Sequence, residues 1–354
     1  MRRLVAGLVL ALAVAGAPGV AVAAPEREKW DTRVFSLVPP PGYPAYVHAH
    51  SNGRVYAGTY LARDPRRAST PSKVVEWSAG GTLLRSWTVP GQDLDADHGV
   101  QVAHETADGE LVLLEISRSR VMTLDTRTGR FRTMARLPEG AVPNFATWGP
   151  RGLYVTDYGD GVIWRVRRDG RVQEWFRAPE LDGVAGFGTT GIRWMKGRRE
   201  LLVAQQTLGT GATLPTNGAL LRLPVDRRGR PGELSTLWTS APGDLPDGFG
   251  VARSGHVYVA LAGLAAQLVE LDARGREVAR FPEVPLSGDN GSEVPFDTPS
   301  SATFLGTSVL VANQSAVAGE PSHQAILDVE VGERGRPAFV PRRARFRQRL
   351  RSPA

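Results

Sequence analysis

The chain has 354 residues, 42% hydrophobic and 22% charged, no cysteine, and a formal charge of +7. This composition builds a large packed core and excludes a disordered or multispanning chain; the missing cysteine excludes disulfides, a thiol nucleophile and thiolate metal sites. The charge points to no nucleic-acid partner, because Arg2, Arg3 and the six arginines between 342 and 351 stand in terminal segments, and without them basic and acidic residues balance to within one.

Residues 1–24 have the form of a signal peptide: Arg2 and Arg3, an apolar run from Leu4 to Val14, then small residues through Ala21-Val22-Ala23. The run is shorter than the roughly 20 residues a membrane span needs, and Pro18 interrupts its continuation. A secreted or periplasmic, extracytoplasmic location is therefore expected.

Next comes Trp30 to Val38, an alternating segment that reads as a single strand outside the repeats. From Ala45 onward one unit recurs. Its first half is AYVHAHSNGRVYAGTY from Ala45, DHGVQVAHETADGELVLLE from Asp97, PNFATWGPRGLYVTDY from Pro143, TGIRWMKGRRELLVAQQ from Thr190, PDGFGVARSGHVYVAL from Pro246 and TPSSATFLGTSVLVANQ from Thr298. A second half comes after each, as in KVVEWSAGGTLLRSW and QLVELDARGREVARF, with Gly-Gly, Asp-Gly, Thr-Gly or Arg-Gly at the turn. These glycines supply the positive φ of tight hairpins.

Four short alternating strands per unit cannot bury both faces alone, and packing unit on unit solves this. The predicted fold is all-β, a six-bladed β-propeller of four-stranded antiparallel blades over residues 25–340, with Trp30 to Val38 as closing strand. Residues 341–354 form a basic Arg-rich tail, expected to be disordered, with weak contact to anionic envelope polymers. A monomer is expected.

In such a fold the innermost strands start at one face, and the loops between second and third strands return to it. The longest loops, 62–73, 207–218, 287–296 and 316–323, fall there and crowd one end of the channel, where binding is expected. The strand starts that ring this mouth are Ala45, Asp97 with His98, Asn144, Thr190, Asp247 and Thr298. Asn144, Asp247 and Asp97 offer hard oxygen atoms suited to Ca²⁺, Mg²⁺ or Mn²⁺. The bland reading of Asp247-Gly248 is a turn. His48 and His50 share one face of their strand, a pattern more often structural than catalytic.

Pro143-Asn144-Phe145-Ala146 with Gly152 to Asp157, and Pro246-Asp247-Gly248-Phe249 with Gly255 to Val259, resemble the blade signatures of the SMP-30/gluconolactonase/LRE-like family. These short motifs are shared in part with strictosidine-synthase-like, NHL-repeat and streptogramin-lyase propellers. The resemblance implies a lactonase-type hydrolase of a lactone or similar small cyclic ester. It implies a divalent cation at the channel mouth, Ca²⁺ first and Zn²⁺, Mn²⁺ or Mg²⁺ as alternatives, with Asp247 and Asn144 as metal ligands. It also implies Asp247 as catalytic base and Asn144 as a substrate-binding residue; His98, Asp97 and Thr190 are expected to bind substrate from their place at the strand starts that ring the mouth. The family's Glu falls here at Ala45 and a further Asn at Thr190. Two other readings stand beside this one: a non-catalytic binding propeller for a sugar, peptide or cell-envelope ligand, and a lyase or synthase with Glu293 or His98 as acid or base.

Overall fold

The computed structural model describes residues 27–61, 69–209 and 213–346. The predicted signal peptide, most of the 62–73 loop and the tail from 347 lie outside them. Strand β1 (Thr32–Leu37) precedes a succession of four-stranded antiparallel meanders. The first two are β2 (Pro44–Ala49), β3 (Val55–Leu61), β4 (Lys73–Trp77) and β5 (Leu83–Thr88), then β6 (His98–Glu105), β7 (Leu111–Glu115), β8 (Arg120–Asp125) and β9 (Arg130–Arg136). The next two are β10 (Pro143–Gly149), β11 (Gly152–Asp157), β12 (Val162–Val166) and β13 (Val172–Arg177), then β14 (Thr189–Met195), β15 (Glu200–Gln205), β16 (Asn217–Pro224) and β17 (Ser235–Pro242). Strands β18 (Pro246–Val251), β19 (Val257–Leu261), β20 (Gln267–Leu271) and β21 (Glu277–Phe281) form another, and β22 (Pro299–Leu305), β23 (Ser308–Asn313) and β24 (Ala325–Glu330) take β1 as their fourth strand. The pairs Tyr60↔Gly99 and Leu61↔His98 join β3 to β6, so the first two meanders form one eight-stranded sheet.

The burial pattern orders the strands radially. β6, β7, β11 and β19 are buried throughout, whereas β5 is largely exposed and β9 and β21 are mostly half-buried or exposed. The first strands adjoin in the ring β2, β6, β10, β14, β18, β22 and back to β2. Apolar faces meet between neighbours: Leu114 and Val121 pack with Trp148, Tyr154 and Ile163 with Ile192 and Leu221, and Leu202 with Val251 and Val259. The series continues with Tyr258 against Val311 and Leu327, and Leu310 and Ile326 against Val47 and Val75, and it ends with Tyr56 and Val74 against Val102 and Leu113. Each core needs two meanders, and the last core returns to the first, so no sheet face is left without a partner. The outer hairpins lock onto the preceding meander: a Cβ at Gly170 would lie 2.5 Å from Met134 O, and one at Gly275 2.3 Å from Leu237 O.

The ring is closed by the chain's two ends. β1 pairs antiparallel with β24 from Thr32↔Val329 onward, and Trp30 stacks on Phe281 at 5.1 Å. Beyond β24 the chain passes the far end of the inner strands, where Arg253 N donates to Arg334 O and Arg336 N to Val251 O. Residues 341–346, expected to be part of a disordered tail, instead pack down. Ala344 is fully buried, Phe346 lies 5.4 Å from Trp148, and Arg345 pairs with Asp108 at 3.4 Å. The apolar anchors Phe339, Val340 and Phe346, interspersed among the arginines, explain the difference.

Candidate functional site

Each inner strand except β6 begins with a break in register: between Pro44 and Val47, Pro143 and Ala146, Thr189 and Ile192, Pro246 and Phe249, and Pro299 and Ser301. A bulge frees residues from the ladder and re-aims their side chains, which is how Tyr46, Asn144 and Asp247 come to face a common space. That space is a pocket of about 820 Å³ at the channel mouth. Ala45, Asn144, Asp247 and Thr298 line it, as do Leu214 and Pro215, Phe296, and Ala316 to Ala318 from three of the long loops.

The ends of the second strands line the same pocket: Tyr60, Ile116, Tyr158, Gln206, Ala262 and Gln314. Each directly follows or closes a strand that returns to the mouth, so topology alone could have singled them out, yet sequence reasoning counted only the strand starts. Tyr158 and Gln206 were missed in this way; Tyr46, on the first strand beside Ala45, was missed because the bulge after Pro44 turns it to the pocket.

At the pocket floor Asp247 is buried. Tyr46 Oη donates to Asp247 Oδ1 at 2.6 Å and lies 3.1 Å from Asn144 Oδ1. Tyr158 Oη donates to Gln206 Oε1 at 2.6 Å, which turns Gln206 Nε2 toward Asp247 Oδ2 at 3.4 Å. Burial pushes the Asp247 carboxyl up to about 7, against a smaller opposing effect of the Tyr46 hydrogen bond. Burial, followed by the nearby Asp247 charge, raises Tyr46 and Tyr158 well above the ordinary tyrosine range, so both stay protonated as donors. A second carboxylate, Asp297, lines the pocket; its Oδ2 lies 3.0 Å from His323 Nδ1 and accepts from Ser315 Oγ at 2.6 Å.

The arrangement does not fit a divalent cation. Asp247 Oδ1 and Asn144 Oδ1 both face the Tyr46 hydroxyl, Asp247 Oδ2 faces the Gln206 amide, and Ala45 offers no carboxylate where the resembling family has Glu. The second carboxylate of the pocket, Asp297, is engaged by Ser315 and His323, which leaves one carboxylate and an amide, too few charges for Ca²⁺. Among the described residues, the one group of three or more His, Cys, Asp or Glu with ligand atoms within 4.8 Å is His256, Glu270 and Glu333, none of which lines the pocket. Its carboxylates already receive Tyr258 Oη, and Lys29 Nζ reaches Glu270 at 2.6 Å.

Of the residues expected to bind substrate, only Asn144 reaches the pocket wall. Thr190 is buried behind it, its hydroxyl directed to the backbone oxygens of Pro246 and Ala204. His98 is buried with both ring nitrogens 2.9 Å from carbonyl oxygens, of Ala96 and Thr70, because β6 pairs with β3 at that point and draws it into the sheet. Asp97 is exposed beside it and acts on Tyr60 only through its charge. Glu293 is also absent from the lining. His48 and His50 are structural: His50 Nε2 lies 2.9 Å from Glu105, and burial holds His48 down to about 3, with His104 adding to the effect.

No family model matches the chain, and no curated protein does. Solved structures do. Regucalcin of Agrobacterium tumefaciens, described as a calcium-binding protein, superposes with a TM-score of 0.61 at 19% identity over 87% of this chain and 96% of its own. The chain is a β-propeller. A putative gluconolactonase (TM-score 0.57, 18% identity, 86% of this chain and 93% of its own) and virginiamycin B lyase of Staphylococcus aureus (0.54, 17%, 83% and 82%) share the fold. These structures, together with a luciferin-regenerating enzyme, fit the SMP-30/gluconolactonase/LRE-like resemblance carried by the blade signatures.

Proposed function

We propose that this propeller has six blades, the eight-stranded sheet counting as two, and is an exported hydrolase of small cyclic esters working at the mouth pocket. The closed series of shared cores supports the blade count, and the leader-like residues 1–24 support export. The observation that carries the activity is Asp247: a carboxyl on the pocket floor, with its pKa raised to about 7 by burial, can both accept and return a proton near neutral pH.

As carboxylate, Asp247 takes a proton from a water attacking the lactone carbonyl. A tetrahedral intermediate forms, the ring C–O bond breaks, and the protonated carboxyl returns the proton to the leaving alkoxide. Tyr46 holds Oδ1, Gln206 is positioned by Tyr158 beside Oδ2, and Asn144 is placed to donate an N–H to the substrate oxygen. Every proton in this cycle moves between Asp247, water and substrate.

The pocket's shape favours an apolar ester over a sugar lactone. Leu264, Leu286 and Val317 line it while 74%, 71% and 82% exposed, an apolar rim that only an apolar ligand body would cover. Hydrolysis of lactones with short and long alkyl substituents tests the reading: activity should rise with chain length and vanish in Asp247→Asn. Turnover unchanged in that variant removes the assignment. A lyase reading has one observation in its favour, the Asp297–His323 pair at the pocket edge, and would yield an unsaturated product in place of a hydroxy acid.

A further inference from the structure

The opposite end of the propeller holds a second cavity, of about 610 Å³, unrelated to the mouth pocket. β10 connects the two, starting beside Asn144 in the pocket and ending at Gly149 in this cleft. The β10–β11 turn, the β12–β13 turn, the β16–β17 turn and the C-terminal segment at Pro341 and Arg343 form its walls. Six arginines line it, Arg151, Arg165, Arg167, Arg168, Arg228 and Arg343, against one carboxylate, Asp169.

That carboxylate is committed elsewhere: Asp169 Oδ1 accepts from Arg171 N at 3.1 Å and Oδ2 from Arg171 Nε at 2.6 Å. Among the described residues none of the six cleft arginines forms an ion pair. Their guanidinium groups meet neutral oxygens instead: Arg165 Nη2 donates to Gln173 at 2.7 Å, Arg151 Nη2 to Arg227 O at 3.4 Å and Arg168 Nη1 to Arg343 O at 3.4 Å. Arg165 Nε is buried with no partner at all. The hairpin aspartates are taken by the arginines that follow them, Asp169 by Arg171 at 2.6 Å, Asp226 by Arg230 at 2.9 Å and Asp272 by Arg276 at 2.7 Å, so the turns leave no carboxylate for the cleft arginines.

Uncompensated guanidinium groups converging on a concave wall focus a positive potential, and their planar forks match phosphate oxygens. We propose that this cleft binds a phosphate-bearing polyanion, with Arg151 and Arg165 at its centre. Two sources share that chemistry, a soluble phosphate compound and a lipid headgroup. The near-neutral balance of the rest of the chain makes the cleft a local feature, not a consequence of overall charge.

Isothermal titration of the full chain with pyrophosphate at low ionic strength tests the proposal. A single saturable site is expected, weakened at least tenfold in Arg151→Gln/Arg165→Gln and within twofold of wild type in Arg127→Gln/Arg274→Gln, which removes two exposed arginines elsewhere. Should the Arg165 variant fail to fold, Arg228→Gln/Arg343→Gln is expected to weaken binding likewise. Co-sedimentation with phosphatidylglycerol vesicles, against phosphatidylcholine, distinguishes the sources: binding that pyrophosphate displaces assigns a headgroup, and pyrophosphate binding without vesicle binding assigns a soluble anion. Absence of saturable pyrophosphate binding, or equal weakening in both double variants, overturns the proposal. Asp247→Asn should bind pyrophosphate as wild type does, which keeps this test independent of the mouth pocket.

Discussion

Replacing Asp247 by Asn should make the protein more stable at alkaline pH and leave it no more stable in acid. The buried carboxyl titrates near 7 against an ordinary value of 3.8, about three pH units. The folded state therefore holds a proton that the unfolded chain has already lost between about pH 4 and pH 7. Stability from this group is complete below pH 4 and falls as pH rises through 7, by about 4 kcal/mol in total at 1.36 kcal/mol per unit. Asn keeps the shape and the Oδ1 acceptor for Tyr46 but does not ionise, so it escapes that loss. Urea unfolding of both proteins at pH 4, 6 and 8 measures the effect. The free-energy difference should move by about 4 kcal/mol in the variant's favour from pH 4 to pH 8. A difference constant to within about 1 kcal/mol across that range would refute a buried, proton-holding Asp247.

The same geometry sets three further outcomes. Tyr46→Phe removes the hydrogen bond that holds the Asp247 pKa down, so the rising, acid-side limb of the pH–rate profile should move to higher pH; an unmoved limb means that Tyr46 does not touch the base. Gly248→Ala sets a Cβ 2.7 Å from Ser301 Cα and from Tyr46 Cε1; overpacking of this kind costs about 1–3 kcal/mol, read as a lower urea midpoint, together with loss of activity as Tyr46 shifts. Arg120→Ala strands the fully buried Glu115, 2.7 Å away, and should cost about 3–5 kcal/mol by the same titration.

The repeat made the architecture legible. The alternation of Val162, Trp164 and Val166 sets one face of β12, and the glycine turns set the hairpins, so the meanders could be counted along the chain. The site was legible only in part. Asn144 and Asp247 stand at strand starts with turn-forming neighbours, and topology brings such starts together. His98 carries the same positional signal but is taken up by the β3–β6 pairing, which no local pattern reveals. Tyr158 and Gln206 follow strands that end at the mouth, and reading the meander in both directions would have found them. The Tyr46 hydroxyl between Asp247 and Asn144 depends on the bulge after Pro44, a backbone shift that side-chain patterning does not encode.

The central claim is that Asp247 is the proton-transferring group of the mouth pocket. It is tested most directly by the pH dependence of hydrolysis of a long-chain lactone, with chelator present, in wild type and Asp247→Asn. The account predicts a rate rising with pH through about 7 in wild type, unaffected by the chelator, and a flat rate lower by at least about a hundredfold in the variant. A wild-type rate that collapses on chelation, or a variant that keeps the same pH limb, would contradict it.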